Sequence, residues 1–215
     1  METVGQRTRL EILDATETLL AVNGPSATSI RNIAARAEVN VAAVNYHFHS
    51  KDGLIDELLR RRANPLSEER LARLDACLAS NPEGTPKLEA VLSAFVLPML
   101  EFAASEHLAA RALVSAQFLS GGGHRMASAD KLQETVERRF LAAFAAALPG
   151  LDMETLHGRY RFLEGALTLA MCGTDEKLAE GTADGPAQKA ARQAAMEAAA
   201  LNFLAFAAAG LRSSE

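Results

Sequence analysis

Near the N-terminus the stretch NVAAVNYHFHSKDGL, Asn40 to Leu54, gathers two asparagines, a tyrosine, two histidines and a lysine around a short apolar pattern. Placed on a helix in a DNA major groove, these residue types have defined uses. An asparagine amide donates to and accepts from one adenine edge, and valine or alanine methyls touch a thymine methyl. Asn40, Val41, Ala43 and Asn45 would face outward near the start of such a helix. Tyr46, His47 and Lys51 follow, where contacts to phosphates would set the register. Helix N-termini at Thr28–Ser29 and Ser50–Lys51 offer unpaired N–H groups to phosphates. Arg31 adds a positive charge there, or pairs with an acidic neighbour. A packing role competes for the aromatics: Phe48 belongs in a small core, and Tyr46 could pack its ring while exposing its hydroxyl. His47 and His49 stand two apart with no third ligand nearby, so no metal site is expected.

Short helices must carry these residues. Gln6 to Val22 has a helical apolar face built on Ile12, Leu13, Thr16, Leu19 and Leu20. NGPSATS breaks it, with Gly24 free to take positive φ and Pro25 unable to continue a helix. Thr28 is placed to cap a helix from Ser29 to Arg36, in which Ile30, Ile33 and Ala34 point inward. AEVN turns the chain, Asn40 caps a third helix, and Ser50 caps a fourth, whose first turn holds Asp52. Two short helices joined by a tight turn form the helix-turn-helix pattern.

Composition limits the alternatives. The chain has 215 residues, 49% hydrophobic and 23% charged, which supports a folded core. Its formal net charge of -5 argues against general coating of nucleic acid. The acidic excess is all C-terminal: residues 1–62 hold eight Lys/Arg and eight Asp/Glu, the remainder 14 and 19. Cys77 and Cys172 lie far apart in apolar surroundings, as expected of free thiols in a reducing compartment. No signal peptide or uninterrupted run of about 18 apolar residues appears, so a cytoplasmic protein without a membrane span is expected. No Ser-His-Asp context, nucleotide-binding glycine loop or metal cluster supports an enzyme, and no cofactor is implied. GGGHR at 121–125 follows a helix and lacks the GKS/T ending of a phosphate loop.

The remainder reads as long helices: 64–80, which continues the fourth helix or restarts one, 88–105 with a break or kink at Pro98, 106–119, 131–148, 153–171 and 187–209 with Pro186 in the first turn. SGGGHRMASAD reads as a flexible connection. Leu156, Tyr160, Leu163, Leu167 and Ala170 form a stripe on one of the last two helices; Ala194, Ala198, Leu201, Ala205 and Ala208 form one on the other. Such a pair could supply half of a four-helix bundle closed by a twofold axis, or serve only as monomer core. Phe95, Met99, Phe102, Phe118, Phe140, Phe144, Tyr160 and Phe162 could line an apolar ligand pocket, or form core. Arg111, Arg159 and Arg161 are candidates to meet a ligand carboxylate, and His124 to gate its entry.

RTRLEILDATETLLAVNG (7–24) and TSIRNIAARAEVNVAAVNYHFHSKDGLI (28–55), with their spacing, resemble the N-terminal region of TetR-family regulators. The resemblance implies an all-α homodimer with an N-terminal DNA-binding domain, 1–52, and a helical effector-binding and dimerisation domain, 53–215. It implies binding to a palindromic double-stranded DNA operator, and release by a small molecule. It places Thr28, Ser29, Asn40, Tyr46, His47 and Lys51 against the DNA backbone and Val41, Ala42, Ala43 and Asn45 nearest the bases. Glu38 and His49 stand where related sequences carry glycine; Glu38 is expected to strain or alter its turn, while His49 can be accommodated and, when protonated, would add a phosphate contact. A narrower similarity, in residues 39–75 and LEAVLSAFVLPML, is to the subgroup that includes the fatty-acid-responsive repressor of pseudomonads; it implies an acyl or other apolar effector. The competing reading is a helical ligand-binding or scaffold dimer without specific DNA binding.

Overall fold

The computed structural model describes residues 4–80, 82, 84–119, 131–171 and 185–212. Every regular element among them is an α-helix: α1 (Val4–Ala27), α2 (Ile30–Arg36), α3 (Val41–Phe48), α4 (Lys51–Ala79), α5 (Leu88–Ser105), α6 (His107–Leu119), α7 (Lys131–Ala147), α8 (Met153–Met171) and α9 (Pro186–Arg212). The fold is all-α, with a short-helix N-terminal region followed by a larger helical body, as the sequence implies. The glycine-rich connection, His124 and Cys172 lie outside the described residues.

The chain divides into two compact units. One holds α1–α3, α4 as far as Pro65, and α6; the other holds α4 from Leu66 with α5, α7, α8 and α9. In the first, α1 buries Ile12, Leu13, Thr16 and Leu20 of the face its apolar spacing marks out, with Leu19 half-buried at its edge. Thr16 is tolerated there because its hydroxyl donates to the Ile12 carbonyl at 2.7 Å. α1 stops being helical at Gly24, whose φ of 71° provides the break. Ile33, Val44, Phe48, Leu54, Ile55, Leu58 and Leu59 complete the buried set. α4 continues through Pro65, the first of the two alternatives for 64–80, and α5 likewise runs through Pro98 without ending. Each proline removes one backbone donor, a loss that the rest of a long helix can carry.

The second unit is built on an aromatic cluster. Phe95 of α5 lies edge-on to Phe140 of α7 and Tyr160 of α8, with ring centroids 4.9 and 5.3 Å apart. Phe144 completes the group. Leu88, Val91, Leu92, Leu156, Leu163, Leu167 and Leu211 pack around it. Each such buried side chain contributes about 1.5–3 kcal/mol relative to exposure. Arg159 ties α8 to the last turn of α9 by donating to the Leu211 carbonyl at 2.8 Å. By length and composition alone, Leu88–Ser105 and Gln193–Arg212 could each cross a membrane. The first is a core helix, mostly buried in its own unit; the second is 22% buried and leaves an alanine-rich surface.

Candidate nucleic-acid interface

Local capping sets the positions of α2 and α3. Ser29, not Thr28, caps α2: its Oγ accepts from the Asn32 N–H at 3.2 Å. Thr28 is buried and its hydroxyl donates to the Gly24 carbonyl at 2.8 Å. The reason is geometric, since Thr28 closes the turn opened by Gly24 while Ser29 takes the extended conformation a cap requires. Asn40 caps α3 as expected, with its Oδ1 accepting from the Ala43 N–H at 2.7 Å. That bond uses one of the two lone pairs on the Asn40 oxygen and leaves its NH₂ group for other partners.

The turn between them is closed by the backbone. Val39 N–H reaches the Ala34 carbonyl at 3.0 Å and Glu38 N–H reaches Ala35 at 3.3 Å, the paired bonds of a Schellman motif. Its left-handed position is Glu38, with φ 54°, where glycine is favoured. At the far end of α3, His49 has φ 63° and Ser50 N–H bonds back to the Phe48 carbonyl at 2.7 Å. This is a γ-turn with positive φ, a strained form. Ser50 then caps α4 by accepting from the Gly53 N–H at 3.0 Å. Gly53 is needed there: a Cβ would run into the Phe48 carbonyl oxygen. The sequence reading missed this glycine, which carries no pattern signal of its own inside KDGL.

With Val44 and Phe48 buried, α3 presents its opposite face. Tyr46 is 79% exposed and Val41 40%. Ala42 and Asn45 are exposed as well, and Ala43 and His47 are half-buried. The Tyr46 and His47 rings meet edge-on at 5.2 Å. Tyr46 is therefore a surface residue and Phe48 a core one; Arg9 also lies over the Phe48 ring at 5.3 Å. Lys51 donates from Nζ to the Thr28 carbonyl at 2.7 Å, joining the starts of α2 and α4. Two ammonium protons remain for a phosphate.

The charges are sorted. Arg9 pairs with Glu57 at 2.8 Å, Arg61 with Asp14 at 2.6 Å, and Arg62 grips Glu17 through both Nε and Nη2 at 2.9 and 2.8 Å. These pairs brace α1 against α4. Arg31 and Arg36 are exposed and make no ion pair among the described residues, so Arg31 is not held by an acidic neighbour. No group of three or more His, Cys, Asp or Glu side chains among the described residues is arranged to hold a metal.

The other candidate residues separate differently from their sequence grouping. Phe95, Phe140, Phe144 and Tyr160 come together in the second unit's core, with Met99 packed beside them. Phe102 is half-buried, and the side chain of Phe118 lies outside the described residues. Phe162 does not join the cluster: it is 79% exposed, because it sits two residues from the Tyr160 face of α8. Leu156, Leu163 and Leu167 are buried in their own chain, the core alternative for that stripe. Ala194, Ala198, Leu201 and Ala205 are exposed.

Residues 12–58 match the model for bacterial regulatory proteins of the tetR family, and residues 93–210, more than half of the chain, match the tetracyclin repressor-like C-terminal domain. The chain belongs to the TetR family. Members are non-enzymatic DNA-binding regulators. The HTH-type transcriptional repressor Rv3405c of Mycobacterium tuberculosis is 46% identical over 59 residues, 27% of this chain and 31% of that protein's length. The chain thus matches about a third of this relative. The HTH-type transcriptional regulator BetI of Paraburkholderia phymatum is 28% identical over 206 residues, 85% of this chain and 100% of its own. Among solved structures, a TetR-family regulator from Bordetella parapertussis superposes with a TM-score of 0.57 at 19% identity, covering 91% of this chain and 93% of its own. The ketosteroid regulator KstR2 of Mycobacterium tuberculosis gives 0.52 at 20%, covering 94% and 96%. These likenesses support the fold of a TetR-family protein, and the short, stronger matches fall on its N-terminal region.

Proposed function

We propose that this TetR-family regulator is a repressor that binds a palindromic operator as a homodimer and releases it when a small molecule binds. The observation that carries the DNA-reading half is the α3 surface: Val41, Ala42, Asn45 and Tyr46 are exposed on a helix whose other face is anchored by Val44 and Phe48. Val41, Ala42, Ala43 and Asn45 approach base edges, while Ser29, Arg31, Asn40, Tyr46, His47 and Lys51 hold phosphates. Thr28 acts from beneath, by holding the α2 start and the Lys51 ammonium. Residues 1–52 form the DNA-binding domain and 53–215 the effector and dimerisation domain.

α8 and α9 support the dimer. They pack on each other and leave Phe162, Leu169, Leu201 and Phe206 exposed, Leu201 by 72%. Exposed Ala194, Ala198 and Ala205 would let a partner's helix approach closely. An isologous contact across these helices buries what a single chain leaves open. Two α3 helices then read half-sites about 34 Å apart, and a ligand that favours another spacing lowers operator affinity. The aromatic cluster supports an apolar or acyl ligand, and the cytoplasmic location expected from the sequence goes with this role.

Selection of bound duplexes from a random DNA library tests the reading. The expected product is an inverted repeat; recovery without any repeated half-site would favour the ligand-binding or scaffold dimer instead.

A further inference from the structure

Arg70 sits in the charged run SEERLAR of α4, which reads as a solvated helix face. The structure puts it inside the second unit. Only 6% of the residue is exposed, and its guanidinium lies over the Phe95 ring at 3.8 Å and nearer the Phe140 ring than 6 Å, at 5.4 Å. The aromatic faces stabilise the cation from the sides. Its edge is another matter. Nε and Nη2 are buried and neither has a hydrogen-bond partner. The Tyr160 hydroxyl, buried beside the same rings, makes no hydrogen bond of normal geometry either, although it lies near enough to Arg70 and Glu164 to interact with both. Buried polar groups are nearly always paired, and a buried charge left unpaired is costly.

The two unmet donors are the pair that Arg62 uses on Glu17: Nε and Nη2, parallel and spaced for the two oxygens of a carboxylate. We propose that the Nε–Nη2 edge of Arg70, with the Tyr160 hydroxyl, receives the carboxylate of an apolar small molecule whose body lies against the aromatic cluster. This deepens, and rests on, the ligand-responsive reading above. The sequence candidates for that role behave otherwise, since Arg159 is engaged with the Leu211 carbonyl and Arg161 is exposed.

The charges facing the site are named by their effects. Burial lowers the basicity of Arg70, and Tyr160 and Glu164 act against that. Burial, followed by Glu164, keeps the Tyr160 hydroxyl protonated and hence a donor. Glu164, one turn beyond Tyr160, has an exposed surface but a desolvated carboxyl, which raises it above the usual range; Glu137 adds to this and Arg70 opposes it. Glu164 makes no ion pair with Arg70 among the described residues. It is the carboxylate of this chain that would compete for the edge.

The test uses the full chain and titration calorimetry with decanoate and benzoate, against decanol and benzyl alcohol as neutral counterparts. Saturable binding of a carboxylate, about tenfold or more tighter than its alcohol, is expected. Arg70→Met should reduce it to the alcohol's level while Arg70→Lys keeps part of it, and Glu164→Gln should tighten it. A thermal melt confirms that each variant folds. Equal affinity for acid and alcohol, equal affinity in Arg70→Met, or no saturable binding of either acid would overturn the proposal. So would strong coupling between Arg70→Met and Glu164→Gln in unfolding, because Glu164 would then be the resident partner. DNA release is read separately on the selected duplex. Binding through Arg70 without release leaves the carboxylate site standing and removes the ligand-release reading; release by an acid that Arg70→Met still binds equally does the reverse.

Discussion

Gly53→Ala sets two physical effects against each other. Gly53 lies in the first turn of α4, where helix propensity alone favours alanine by about 1 kcal/mol. The new methyl, however, would enter the space of the Phe48 carbonyl oxygen. That oxygen is backbone, and the Ser50 N–H holds it at 2.7 Å in the γ-turn at His49, so it has no rotamer through which to retreat. Overpacking against an unyielding neighbour costs about 1–3 kcal/mol. Sterics should win, leaving a net destabilisation of up to about 2 kcal/mol and an α3–α4 junction that shifts the reading helix. Gly158→Ala is the control, because nothing lies within 4 Å of its added Cβ on α8. Urea unfolding by circular dichroism should lower the midpoint for Gly53→Ala and raise it for Gly158→Ala, while hydrogen exchange accelerates in 41–48 only for the first. A midpoint raised equally by both substitutions would refute the close-approach reasoning.

Glu38→Gly and His49→Gly should each stabilise the first unit by about 1 kcal/mol, because both side chains now occupy positive φ; urea midpoints check this. Breaking the largely shielded bidentate pair with Glu17→Gln or Arg62→Met should cost about 1–3 kcal/mol, and the double variant should recover part of it in a mutant cycle. Asp152 accepts from the Thr155 N–H at 2.9 Å and the Thr155 hydroxyl at 2.7 Å, and these bonds hold its carboxyl below the usual range. Its folded pKa is thus below its unfolded one, so the contribution is present above about pH 4 and is lost as pH falls through the folded value. Asp152→Asn should flatten the acid limb of a stability–pH curve measured by thermal melting. Tyr46→Ala should leave the midpoint nearly unchanged, since the ring is exposed, while weakening operator binding in an anisotropy titration.

The helices were legible because Ala and Leu dominate, strand-like alternation is lacking, and Gly24, Asn40, Ser50 and Pro186 punctuate the chain. The Asn40 cap follows from residue type, whereas the left-handed turn at Glu38 follows only from the resemblance, which puts glycine there; residue type alone argues against positive φ at both Glu38 and His49. Thr28 and Ser29 are adjacent hydroxyls, and only the turn at Gly24 decides which of them caps α2. The Leu156–Leu167 stripe is apolar with helical spacing, a pattern shared by core and interface; the aromatic cluster it meets assigns it to core. Arg70 was hidden for the opposite reason. An arginine in a charged run looks solvated, and only long-range packing of α5 and α7 onto α4 turns it inward.

The central claim is that α3 reads an operator. Fluorescence anisotropy of the full chain on DNA from immediately upstream of its own gene, against a scrambled duplex at two salt concentrations, tests it most directly. The account predicts tight binding to the upstream duplex alone, lost in a Tyr46→Ala, Lys51→Ala variant that still melts as a folded protein. It also predicts that Lys51→Ala alone reduces the salt slope by about 1 for each protomer bound. Equal, weak and strongly salt-dependent binding to both duplexes, unchanged by those substitutions, would contradict it.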